Sequence, residues 1–272
     1  MNKSKIGKAF IYLGAAITFG LLGFIILFVL VKGIPYIQPD LFAWDYTTEN
    51  VSLMPSLITT LYVIGGSLLI AGPIGIFTSI YLVEYADRSK LIVKLIAMAT
   101  DTLAAVPSIV YGLFGFLFFV SYLEWQFSLL AGIATMTIMV LPLIIRSTEE
   151  ALMAVDPSLR AASFALGAGK LRTIFSVVLP SAIPGILSGI ILATGRIIGE
   201  SAALIYTLGS SSNLPDSLFT SGRTLAVHMY VLSSEGFHVN EAYATAVVLV
   251  VLVLILNGLS TMFSRKLAKG GK

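Results

Sequence analysis

The chain has 272 residues, of which 57% are hydrophobic and 11% charged, with a net charge of +3 and a mean hydropathy of +0.95. Soluble domains carry about 25% charged residues, so a soluble globular fold is excluded. With no cysteine and only two histidines, disulfide frameworks, thiolate metal sites, cysteine nucleophiles and His-rich metal sites are excluded as well.

A bilayer core of about 30 Å takes roughly 20 apolar residues in a helix. Such runs occur at 9–31, 56–83, 91–120, 127–145, 181–208 and 242–263. The first follows Lys3, Lys5 and Lys8 in the manner of a signal peptide. Its apolar run exceeds the roughly 7–15 residues of a signal core, and no small-residue cleavage site follows, so a retained span is expected. The third run carries Pro107, and a kink or a stretch along the interface is expected there. Of the 17 basic residues, 14 fall on one side: Lys3, Lys5, Lys8, Arg88, Lys90, Lys94, Arg146, Arg160, Lys170, Arg172, Arg265, Lys266, Lys269 and Lys272. Lys32 and Arg223 fall on the other, and Arg196 lies inside the fifth run. The positive-inside rule then places both termini in the cytoplasm. The expected fold class is an all-α polytopic membrane protein of six spans, forming one domain over 1–272. It has a long cytoplasmic loop at 146–180 and a long outer loop at 209–241.

Two motifs only imitate chemistry. Gly209-Ser210-Ser211-Ser212 with His228 suggests an intramembrane serine protease, but serines at the end of a span are ordinary turn residues. Gly167-Ala168-Gly169-Lys170 looks like the tail of a phosphate-binding loop, yet Phe164 and Leu171 stand where a glycine and a Ser/Thr are required. The chain is therefore not expected to hydrolyse ATP, to act as an enzyme, or to bind a cofactor or metal of its own.

The 146–180 segment is the most informative. Asp156-Pro157 has the form of a helix N-cap followed by proline at the first helical position. A short helix over 158–166 then ends at Gly167, which suits a left-handed C-cap. A second short run leads to Leu179-Pro180. From composition alone this basic knob reads equally well as a solvated loop held to lipid headgroups.

Ala161-Ala162-Ser163-Phe164-Ala165-Leu166-Gly167, nine further residues and Val177-Val178-Leu179-Pro180 resemble the signature loop of ABC importer permeases. That signature reads Glu-Ala-Ala, three residues, Gly, nine residues, Ile-x-Leu-Pro. Ala161 stands in place of its glutamate, Ser163 of its second alanine and Val177 of its isoleucine. Val106–Leu113, Gly195–Glu200 and Gly222–Tyr230 further resemble the PstA-type permeases of bacterial phosphate importers. The resemblance implies a type I importer permease in the bacterial cytoplasmic membrane, supplying half of the pathway. Arg160, Ala161, Ala162, Ser163, Gly167, Leu179 and Pro180 would form the surface that docks a separate ATPase, on which ATP and magnesium reside. Implied partners are a second, PstC-like permease, a PstB-like ATPase dimer, a PstS-like binding protein and membrane lipid, with no nucleic acid. Another oxyanion such as molybdate or sulfate is the alternative substrate. An ion-coupled secondary transporter or channel is the alternative class.

Arg196 and Glu200 are four residues apart, hence on one face of a continuous fifth helix. A charge at the bilayer centre costs about 2.5–3.5 kcal/mol, so both should face a bundle interior or a wet cavity. Two readings stay open: a structural ion pair, or a polar lining of the anion pathway in which Glu200 tempers the grip of Arg196. Gly185, Gly189, Gly195 and Gly199 form two small-xxx-small pairs, expected to let a second permease subunit approach closely. Asp101 is expected as an interfacial cap. Arg223 and His228 are expected to be solvated residues of the outer loop, with contact to a docked binding protein as the alternative.

Overall fold

The computed structural model describes residues 3–87 and 89–270. Arg88 and Lys272, two of the charges behind the expected orientation, lie outside the described residues. So do the side chains of Lys3, Lys5, Arg265, Lys266 and Lys269. The architecture is helical. It runs α1 (Lys3–Gly33), α2 (Met54–Ile80), α3 (Leu91–Ala104), α4 (Ser108–Gly115), α5 (Leu129–Met153), α6 (Pro157–Ala165), α7 (Lys170–Thr173), α8 (Leu179–Ile198), α9 (Ala202–Thr207), α10 (Leu225–Glu235) and α11 (Val239–Gly270). Three π-helical turns extend these rods: Tyr81–Tyr85 after α2, Phe116–Tyr122 after α4 and Ile174–Val178 between α7 and α8.

Among the described residues five stretches are long and apolar enough to cross a membrane, or six with one bent pair counted as a span. The bent pair is the third apolar run. It breaks at Val106-Pro107, and its halves Leu91–Ala104 and Ser108–Tyr122 meet at 102°. Proline cannot donate its N–H and disfavours a helical residue before it, so α3 ends just before it. The Tyr111 hydroxyl donates to the Leu103 carbonyl at 2.8 Å, satisfying one of the groups the break exposes.

The other boundaries depart more from expectation. α5, the helix of the fourth apolar run, continues past residue 145 to Met153, and the fifth span is Lys170–Ile198 rather than 181–208. The expected loop over 146–180 is thus mostly helix, because hydropathy marks where a helix leaves lipid and not where its hydrogen bonds stop.

α5 is the axis of the molecule, packed between α2 and α8. Its start is fixed by Ser128, whose hydroxyl accepts from the Ala131 N–H at 3.2 Å. Lipid supplies no water to compete for polar groups, so hydroxyls bond to backbone carbonyls within or between helices. Ser67 donates to Ile133 at 3.3 Å and Ser79 to Ile145 at 2.8 Å, tying α2 to α5 twice. Next to those bonds a methyl at Gly66 would meet the Ile133 side chain at 2.6 Å, and one at Gly75 would meet Ile144 at 2.7 Å. The buried core runs through Val63, Met136, Met139, Ile144, Ile197 and Leu204. By contrast, the apolar window of α1 has no residue buried within this chain, and Gly33 at its end meets Tyr243 and Val247 of α11.

Gly185 and Gly189 face α5, against Ala151 and Ser147. They do not face a second subunit, which corrects the expectation for that pair. Gly195 has nothing within 4 Å of an added methyl, and Gly199 meets only its own helix backbone, the Gly195 carbonyl at 3.7 Å.

Candidate functional site

The fifth span ends where it was expected to continue. α8 stops at Ile198, Gly199 and Glu200 leave the helix, and α9 begins at Ala202. Arg196 and Glu200 therefore do not share one continuous helical face, a correction to the four-residue spacing argument. Glu200 is buried at 9% exposure, and its Oε1 accepts from the Ala203 N–H at 3.0 Å. The acid is thus spent on the first turn of α9, where a negative charge meets otherwise unpaired N–H groups. No ion pair joins it to Arg196 among the described residues. Arg196 is left half-buried on the last turn of α8, within Coulombic range of the Tyr111 phenol.

The three segments singled out in the sequence converge on this break. From the first, Tyr111 is buried, and Gly112 lies so close to α9 that a methyl there would meet the Ala203 Cα at 2.7 Å. α4 and α9, each the second half of an interrupted helix, thus pack on one another. From the third, Ala226, Met229 and Tyr230 line a cavity of about 340 Å³ together with Gly199 and Ser201. Irregular backbone at membrane depth is tolerated where it is buried in protein or lines a cavity, and this break does both.

Arg223 and His228 are not solvated: they are 4% and 0% exposed. The Arg223 guanidinium lies over the Tyr46 ring at 4.7 Å, and Tyr46 meets His228 edge to face at 6.3 Å between centroids. Burial first, then the Arg223 charge, push the His228 pKa down to about 3 against a small opposing effect of the Val51 backbone, so the imidazole is neutral. Sequence reasoning missed this because Tyr46, more than 170 residues away, covers the pair. Asp101 is exposed and lies 3.9 Å from Arg146, which also pairs with Glu150 at 3.1 Å. Such exposed pairs contribute about 0–1 kcal/mol.

On the opposite side, α6 and α7 form the expected knob. The Asp156 carboxylate accepts from the Ser158 N–H at 2.8 Å, and that bond, with the Ser158 hydroxyl, holds its pKa below the usual value. Gly167 has φ of +79°. The Gly167 N–H donates to Phe164 at 2.9 Å and the Ala168 N–H to Ser163 at 3.1 Å, the two bonds of a Schellman ending. Ser163 bonds Thr173 at 2.9 Å and so joins α6 to α7. α6 buries no residue in this chain. Ala161 and Ala162 are exposed, as are Leu159, Phe164 and Leu166, the last at 89%. Arg160 turns inward, donating to Glu84 and to the Leu152 and Val155 carbonyls. Leu179 is partly buried at the head of α8, and Pro180 is exposed.

The chain is similar to known proteins. The chain is 35% identical over 232 residues to the Probable ABC transporter permease protein YqgI of Bacillus subtilis, covering 78% of each chain. It is 32% identical over 266 residues to the phosphate transport system permease protein PstA of Haemophilus influenzae, covering 96% of this chain and 93% of that one. Among solved structures, an inward-facing MetNI methionine ABC transporter superposes with a TM-score of 0.64 at 20% identity, over 79% of this chain and 94% of that one. A bacterial ABC transporter that imports alginate superposes at 0.61 with 16% identity, over 95% and 99%; both show the fold. The family model for the binding-protein-dependent transport system inner membrane component matches residues 71–269, and with relatives above 30% identity along most of its length the chain belongs to that family of ABC importer permease subunits.

Proposed function

We propose that this chain forms half of the transmembrane pathway of an ATP-driven inorganic phosphate importer. Arg196 would be the anion-facing donor, and a separate ATPase would dock on the 156–180 knob. The observation that carries the reading is the state of Arg196: a half-buried guanidinium at a helix break inside a membrane span, with the nearby Glu200 carboxylate committed to Ala203. An arginine fork donates bidentately to oxyanions. Phosphate, rather than molybdate or sulfate, is favoured by the relatives whose names specify phosphate transport. The exposed Leu159, Phe164 and Leu166 around Gly167 support an interaction surface rather than a purely solvated loop. A PstC-like second permease, a PstB-like ATPase dimer and a PstS-like binding protein complete the proposed assembly.

The test is phosphate uptake normalised to assembled complex. Arg196→Lys keeps the charge and loses the fork, and should reduce uptake by about tenfold, the scale of one lost hydrogen bond to a charged group. Glu200→Gln keeps an acceptor for Ala203, so assembly should survive. Near-normal uptake by Arg196→Lys would remove this residue from the pathway. Uptake of sulfate or molybdate in place of phosphate by the unmodified complex would select the alternative substrate.

A further inference from the structure

α6 buries nothing in this chain, while α7 runs into Ile174 and Val178, which are buried in an apolar cluster with Ile80 near the end of α2. The polar attachment of the knob is concentrated on two adjacent residues there, Glu84 and Tyr85, in the π-helical turn that ends α2. Arg160 of α6 donates from Nε at 3.2 Å and from Nη2 at 2.8 Å to Glu84 Oε1. The same guanidinium donates from Nη1 to the Val155 carbonyl and from Nη2 to the Leu152 carbonyl, both at 2.9 Å. It therefore joins three elements: the knob, the end of α5 and the end of α2. The two side chains are only 20% and 11% exposed, so water competes little for the pair. Lys170, the first residue of α7, lies over the Tyr85 ring with its ammonium 4.5 Å from the centroid. Both halves of the knob thus hold the same turn.

The other end of α2 is attached in turn to the outer segment that lines the break. Thr60 Oγ1 accepts from the Leu225 N–H at 2.9 Å, and a methyl added at Gly222 would meet the Thr59 side chain at 3.3 Å. α2 is therefore one rod, gripped by the knob at one end and touching the Gly222–Leu225 segment at the other. π-turns recur at functional positions in helices, and here the turn presents consecutive side chains to the knob.

From these contacts we propose that Glu84 and Tyr85 are positioning residues for transport, holding the knob so that its displacement moves α2. This rests on the proposed docking of an ATPase at the knob. Beside the apolar packing of Ile174 on Ile80, these directional contacts fix the knob to one turn of α2.

The experiment uses the complete importer in vesicles and reads phosphate taken up per ATP hydrolysed. Glu84→Gln should assemble and hydrolyse ATP while that ratio falls about tenfold, within the range of coupling between sites in one protein. The chain has no cysteine, so Glu84→Cys with Arg160→Cys places two unique thiols in it. The pair should be uncoupled when free and regain most of its ratio when joined by a short bifunctional thiol reagent, an effect that loss of a stabilising contact would not produce. An unchanged ratio in Glu84→Gln, no recovery on joining the thiols, or failure of either variant to assemble would overturn the proposal. Failure of the docking reading is separate: Gly167→Val would then leave uptake and hydrolysis unaltered whatever Glu84 does.

Discussion

Gly167 gives the sharpest test of the knob. Its φ of +79° lies in the left-handed region, and nothing is within 4 Å of the position a Cβ would take. The cost of Gly167→Val is therefore one of backbone conformation and not of collision. A left-handed L-residue costs about 1–2 kcal/mol, and a β-branched one stands at the upper end because its χ1 is also restricted. That energy shifts the balance between the formed and unwound turn by about 5–30-fold. The two Schellman bonds open to water when the turn unwinds, so their loss adds little. α6 lies outside the buried core, and insertion and assembly of the membrane helices should be unaffected. In reconstituted vesicles, phosphate uptake and substrate-stimulated ATP hydrolysis should fall together. Gly167→Asn should fall less, because asparagine tolerates this region. Wild-type behaviour of Gly167→Val, or loss of uptake with a normal ATPase response, would refute the reasoning.

Gly189→Ala would drive a methyl onto the Ser147 hydroxyl and to 2.6 Å from its Cβ. It should cost about 1–3 kcal/mol, as overpacking does, and lower the Tm in detergent, while Gly195→Ala leaves it unchanged. His228 titrates near 3 in the fold against about 6.5 in the unfolded chain, so below 6.5 the unfolded chain binds the extra proton and stability falls. At pH 5 the loss is about 2 kcal/mol, read as a falling Tm between pH 7 and 5 that His228→Gln flattens. A reporter inserted within 210–219 should report the outside and one fused at the C-terminus the cytoplasm; a cytoplasmic signal from the first would sink the six-span topology.

Hydropathy marked the apolar runs, though not the limits of the fourth and fifth spans, because leaving water is a property each residue carries singly. Local chemistry located the Asp156 cap, the Gly167 turn and the break at Pro107, because each is decided within four or five residues. The end of α8 was not legible in this way: Arg196 and Glu200 have helical spacing, and only the packing of α9 on α4 through Gly112 and Ala203 shows the helix interrupted between them. The glycines of α8 could be recognised as small, but Gly185 and Gly189 meet α5 and Gly195 does not, a choice made by the neighbouring helix. Arg223 and His228 carry every mark of a solvated outer loop until Tyr46 covers them. Arg160 belongs by sequence to a basic surface, yet its guanidinium is spent on Glu84, 76 residues earlier. Burial, partner and charge state are pairwise quantities between segments far apart in the chain, and only the tertiary structure brings those segments together.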